Sequence, residues 1–192
     1  MMTVGNLARC SAVFAVMASV SAFAGERKTI DINGDFEQSE SGMPQKWGGV
    51  GGVRITEEVY KSESHSFALP FPVSSNGGVN LGQRDIDSSN FKAGDQVEIS
   101  VSALLKSDLG DGESFGGGFG IWDPSGGRRA GVPFKFEELP GQWQTFTTSM
   151  NIPDDFDETW KVRITLVAKR TVPSTVEKAV YFDDVSVTVN SP

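Results

Sequence analysis

What most constrains the fold of this 192-residue chain is a periodicity it lacks. Beyond residue 24, no segment keeps apolar residues at i, i+3, i+4 and i+7 over three turns. Instead, short stretches alternate apolar and polar residues, as half-buried strands do. Segments 53–60, 65–71, 79–86, 96–106, 115–122, 143–152, 160–169 and 176–189 read as strands. Turn-forming residues divide them at 75–78, 92–95, 123–127, 140–141 and 153–155. Many short strands with no helices between them predict an all-β protein, a β-sandwich or barrel.

The alternation also assigns faces. Val97, Ile99, Val101, Ala103 and Leu105 are predicted to face the core, with Glu98, Ser100, Ser102, Leu104 and Lys106 opposite. Val162, Ile164, Leu166 and Ala168 form a second inward set, which turns Lys161, Arg163, Thr165 and Val167 outward. With Phe119 and Ile121 inward, Trp122 points out beside Gly118 and Gly120, leaving a flat apolar ring with space around it. In the last strand, Tyr181, Val185, Val187 and Val189 are expected on one face and Phe182, Asp184, Ser186 and Thr188 on the other. Asp183 then falls in phase with the valines. A buried carboxylate needs a cation, a basic partner or several N–H donors.

Residues 1–24 are expected to be a cleaved signal peptide. Arg9 precedes an apolar, small-residue run that ends in Ala22-Phe23-Ala24. That run is shorter than the roughly 20 residues a transmembrane helix needs. The expectation is a secreted or periplasmic single domain, 25–192, with no membrane insertion. The one cysteine, Cys10, would leave with the signal, so the domain must rely on its core rather than on disulfides. Loss of Arg9 would also take the net charge from −8 to −9, which argues against nucleic acid as a partner.

Ordered motifs extend this reading. Asn33-Gly-Asp-Phe-Glu37 is followed by Met43-Pro-Gln-Lys-Trp47, Ser64-His-Ser-Phe67, Gln83 and Phe91-Lys-Ala-Gly94. Gly141-Gln-Trp-Gln-Thr-Phe146 and Tyr181-Phe-Asp-Asp-Val185 complete the order. The set, covering 29–189, resembles the carbohydrate-binding modules of families 4, 9 and 22, which are jelly-roll sandwiches of the galactose-binding-like type. The resemblance implies a non-catalytic, monomeric protein that binds a poly- or oligosaccharide on one sheet face. It also implies one structural calcium ion where the first and last strands meet. By position, Glu37 and Asp183 match its carboxylate ligands, with Asp35 or a main-chain carbonyl near Lys61 and Ser62 as further ligands. The alternative is that Asp183 pairs with a basic residue and Glu37 is solvated.

For the sugar, Trp122 is the expected stacking platform, since pyranose C–H faces pack on aromatic rings. The other reading is that it packs beneath a loop. Arg163, Gln83, Glu98 and Ser100 would supply polar partners if their strands share the sheet, and Tyr60 is a secondary platform. Trp47, Trp143 and Trp160 are expected to be structural. Gly112-Glu-Ser-Phe-Gly116 matches the nucleophile-elbow pattern. That pattern requires a strand-to-helix turn and a later histidine, whereas the sole histidine, His65, comes earlier, and no helix follows. The stretch 108–118 is instead expected to be an exposed loop. One histidine and no mature cysteine exclude a multi-histidine or cysteine zinc site. Two other classes remain as alternatives: a cell-surface interaction module that never binds sugar, and an enzyme such as a lyase on the same scaffold.

Overall fold

The structure is a computed structural model and describes residues 25–192; the expected signal peptide lies outside the described residues. The alternating segments form two antiparallel sheets. The first contains β1 (Arg27–Ile30), β5 (Arg54–Thr56), β6 (Ser66–Pro70), β8 (Gln96–Leu105), β11 (Gln144–Asn151) and β13 (Ala179–Asn190). Its order is β11-β8-β13-β6-β5, with β1 also paired to β13. The second contains β4 (Gly48–Val50), β7 (Gly78–Ile86), β9 (Glu113–Trp122), β10 (Arg128–Phe134) and β12 (Lys161–Arg170), in the order β10-β9-β12-β7-β4. A small hairpin of β2 (Ser39–Glu40) and β3 (Met43–Pro44) stands apart.

The core lies between the sheets, where the inward sets of β8 and β12 meet. Val97, Ile99, Val101, Ala103 and Leu105 are buried, as are Val162, Ile164, Leu166 and Ala168. Each large aliphatic side chain removed from water contributes roughly 1.5–3 kcal/mol. Trp47 is buried against Phe36 and Phe67, and its indole N–H donates to the Ile32 carbonyl at 2.9 Å. Trp160 sits edge-on to Phe156 at the core margin. Trp143 is half-buried just before β11.

Three sequence expectations are corrected. First, the last strand does not keep one phase. Val180 and Phe182 pair with the inward residues Leu105 and Ala103, so Tyr181 and Asp183 face outward. Between Asp183 and Ser186 the register shifts by one residue, after which Val187 and Val189 pair with inward Ile99 and Val97. A β-bulge adds one residue and inverts the parity beyond it. Asp184 sits in it at φ 49°. Second, 108–118 is not all loop. β9 begins at Glu113, and Ser114 is its second residue, paired with Lys169 inside the sheet rather than on a strand-to-helix turn. Third, 53–60 is strand only over Arg54–Thr56.

β10 is a strand that the alternation did not reveal. It carries Gly131 and Pro133, both poor strand formers, and occupies a sheet edge where a missing N–H does no harm. The turn at 123–127 joins it to β9. The Asp123 side chain accepts from the Gly127 N–H at 2.9 Å, and the Asp123 N–H donates to the Gly127 carbonyl.

Candidate functional site

Because β9, β12 and β7 pair in continuous register, the outer face of the second sheet is built in cross-strand rows. The first row holds Arg128, Trp122 and Lys161. The second holds Gly131, Gly120, Arg163 and Asp85, and the third Pro133, Gly118, Thr165 and Gln83. The fourth holds Gly116, Val167 and Leu81, with Val50 beyond. Three of the five residues that β9 turns outward are glycines. Two of them, Gly116 and Gly118, together with Ser114, Phe115, Pro133 and Val167, line a groove of about 350 Å³ that runs up to Trp122 and Arg128.

The glycines determine how the aromatic ring lies. A Cβ on Gly120 would meet the Trp122 indole at 2.4 Å, so the ring is folded flat over that glycine instead of standing away from the sheet. Likewise, a Cβ on Gly131 would meet the Arg128 guanidinium at 2.4 Å. Gly120 and Gly131 are cross-strand partners, and the Arg128 guanidinium lies over the indole, its Cζ 6.0 Å from the ring centroid. That is a cation–π spacing. The half-buried indole lines the groove.

Arg163 is on this face but already engaged. Its guanidinium holds Asp85 bidentately, with Nη2 to Oδ2 at 3.0 Å, and Lys161 Nζ reaches the same carboxylate at 3.3 Å. The Arg163 hydrogen bond, with further help from Lys161, holds the Asp85 carboxyl below its ordinary range. Gln83 also faces outward, beside Thr165. The fold thus brings Trp122, Arg163 and Gln83 together.

Glu98 and Ser100 are not part of this face. They lie on β8, on the outer side of the other sheet, where Glu98 pairs with Arg27 at 3.3 Å. Alternation specified that Glu98 faces outward but not to which sheet its strand belongs. Tyr60 is exposed in the segment after β5, also away from Trp122. Two contributors were missed: Asp85 and Arg128. The hairpin turn at 123–127 was the available signal for Arg128, because a tight turn after one strand calls for a second arm.

The two chain ends meet around a second polar cluster. β1 pairs with β13, and the Val185 N–H donates to the Gly34 carbonyl at 2.8 Å. Asp183 is wholly buried beneath residues 61–65. One of its oxygens accepts from the N–H groups of Lys61 and Ser62 at 2.8 and 3.1 Å, the other from the Asp184 N–H at 2.7 Å. Burial raises its carboxyl above the ordinary Asp value despite those donors. Glu37 grips the same segment from its far end, accepting from the N–H groups of Ser64 and His65 at 2.9 and 2.8 Å and from His65 Nδ1 at 2.6 Å. Although burial pushes it up, the bonds from His65 and Ser64 bring its carboxyl down to about 2. The Glu37 bond in turn raises the His65 ring above its ordinary value.

This arrangement does not fit a calcium ion held by these residues. Calcium needs six to eight oxygens with free lone pairs. Here N–H groups point at both carboxylates, and Lys61 and Ser62 present their N–H groups to Asp183 rather than a carbonyl. Asp35 is turned toward its own loop, accepting from the Glu37 N–H. Among the described residues, no three His, Cys, Asp or Glu side chains gather as a metal cluster, and no helix is long and apolar enough to cross a membrane.

Two facing antiparallel sheets with an open groove on one of them define a jelly-roll β-sandwich of the kind found in carbohydrate-binding modules. The C-terminal family 22 carbohydrate-binding module of Clostridium thermocellum Xyn10B superposes with a TM-score of 0.55 at 19% identity, over 83% of this chain and 95% of that one. The CBM22-1 xylan-binding domain of Paenibacillus barcinonensis Xyn10C gives 0.53 at 16% identity, over 90% and 99%. The enzymatically active domain of tailspike protein 4 from bacteriophage CBA120 gives 0.55 at 13%, over 81% of this chain but only 20% of that one. No family description matches the sequence, and no curated protein matches it.

Proposed function

We propose that this protein is a non-catalytic, exported glycan-binding module that takes a poly- or oligosaccharide along the groove of the second sheet. The observation that carries the reading is Trp122, whose indole lies flat on Gly120 at the head of a glycine-floored groove. An aromatic ring that borders an open groove suits the C–H face of a pyranose, while Gln83 and Thr165 offer polar atoms for hydroxyls at the side. Arg163 contributes through the Asp85 oxygens that it holds in place, which accept hydrogen bonds from sugar hydroxyls. The superposed family 22 modules support the same function.

Affinity electrophoresis against a panel of soluble polysaccharides tests this. Retardation by at least one glycan, abolished in Trp122→Ala with unchanged thermal stability, is the expected result. Undiminished retardation of that variant would place the site elsewhere.

A further inference from the structure

The charge on the groove face points to the kind of glycan. Along the strands of the second sheet, the outward residues include four cations, Arg128, Lys161, Arg163 and Lys169, and one anion, Asp85. Yet the chain as a whole carries −8. Asp85 is shared between Arg163 and Lys161, so this pairing leaves one positive charge over. Arg128 and Lys169 form no ion pair with any described residue. On the opposite sheet Arg27 is paired with Glu98, whereas Arg54 on β5 forms no ion pair with any described residue.

From this excess of positive charge on an otherwise acidic chain we infer that the groove is built for an acidic polysaccharide, a chain whose sugars carry carboxylates or sulfate esters. The inference rests on the glycan-binding reading above and narrows it. Arg128 is the principal contact: packed on Gly131 and over Trp122, its guanidinium presents a planar fork next to the stacking ring. A sugar lying on the indole thus places a ring substituent against that fork, which suits a bidentate oxyanion. Lys169 stands at the other end of the groove, opposite Ser114. Eight residue steps along β9 separate the two rows, about 26 Å at roughly 3.3 Å per residue. That spacing suits a polymer with charge spread along several sugars. Nucleic acid is a poorer match, with a charge about every 1.7 Å of duplex. Exposed charges more than about 8–10 Å apart are largely screened at physiological salt, so the acidic surface elsewhere does not cancel this face.

Paired polymers with a common backbone test the inference: carboxymethylcellulose against hydroxyethylcellulose, and dextran sulfate against dextran, with single-stranded DNA as a further polyanion. The protein is expected to bind at least one acidic member about tenfold more tightly than its neutral partner, as one or two charge-assisted contacts would give. The preference should vanish in roughly 0.5 M salt, where the screening length is only a few Å. Arg128→Gln combined with Lys169→Gln should remove it at low salt without lowering the melting temperature. Equal binding of acidic and neutral members overturns the acidic inference but leaves glycan binding standing. Equal binding of DNA and the acidic glycan overturns it too, as would a preference that survives the double substitution. Failure of every polysaccharide to bind overturns both readings.

Discussion

The cluster around Asp183 and the groove around Trp122 each gather polar and charged side chains, yet they differ in where those side chains find partners. At residues 61–65 both carboxylates are supplied from within the chain: Asp183 accepts three backbone N–H groups, and Glu37 two plus the His65 ring. On the groove face, a glycine makes room beneath an indole, and two cations, Arg128 and Lys169, form no ion pair with any described residue. A cluster that satisfies itself stabilises the fold. A surface that leaves its groups open can gain by binding, because a ligand provides what the chain does not.

The largest expected effect that would separate the two regions is on stability. Asp183→Ala leaves three backbone N–H groups without an acceptor under a covering segment and is expected to cost about 3–5 kcal/mol. In a domain of this size that is a fall in melting temperature of roughly 10 °C or more, at about 2–4 °C per kcal/mol. A loss below about 1 kcal/mol would show that the cluster is not the internal clamp described. Glycan retention at low temperature should persist in the folded variant, since the groove lies on the other sheet.

Gly120→Val tests the groove from the opposite side. The added side chain displaces the indole from the sheet, so glycan affinity is expected to fall about tenfold or more, the equivalent of losing one aromatic contact. The melting temperature should change far less than in Asp183→Ala. Affinity electrophoresis and a thermal melt of the same sample distinguish these outcomes, and preserved affinity would mean that the flat ring is not the platform.

A smaller effect concerns pH. The depressed Glu37 carboxyl contributes stability that is complete above its ordinary value of 4.5 and is lost as pH falls toward 2. The raised His65 contributes stability that is complete below 6.5 and is lost as pH rises through its folded value. The pair is therefore most stabilising between about pH 4.5 and 6.5. His65→Asn should flatten the decline on the alkaline side relative to the parent, measured by melting temperature against pH. Identical profiles for the two proteins would remove the ion pair from the account.

The smallest expected effect is from chelation. Because N–H donors already occupy Asp183 and Glu37, EDTA should leave the melting temperature unchanged, and added calcium should not raise it. A clear downward shift with EDTA, reversed by calcium, would restore the ion to the meeting point of the chain ends and rearrange the cluster around it.

How much of this was legible in the sequence depends on how far each feature reaches along the chain. Alternation over ten residues was enough to place Val97 to Leu105 and Val162 to Ala168 in the core and to turn Trp122 outward. Parity is a local property of a pleated strand with a period of two, so the amino acids alone determined it. The motif order likewise marked where the chain ends would meet, now seen in the pairing of β1 with β13. Other features depend on residues far apart. Glu98 and Gln83 both alternate outward, but only the assembled sheets put one on the far side of the sandwich and the other beside Thr165. The bulge at Asp184 inverted the phase of Asp183 because the loop at Gly34 and the segment at Lys61 dock there. No run of sequence records such long-range pairing. The sequence by itself therefore determined the class of fold and the inward set of its long strands. The tertiary structure decided which outward residues became neighbours, because strand order and a one-residue slip are settled by contacts between segments more than a hundred residues apart.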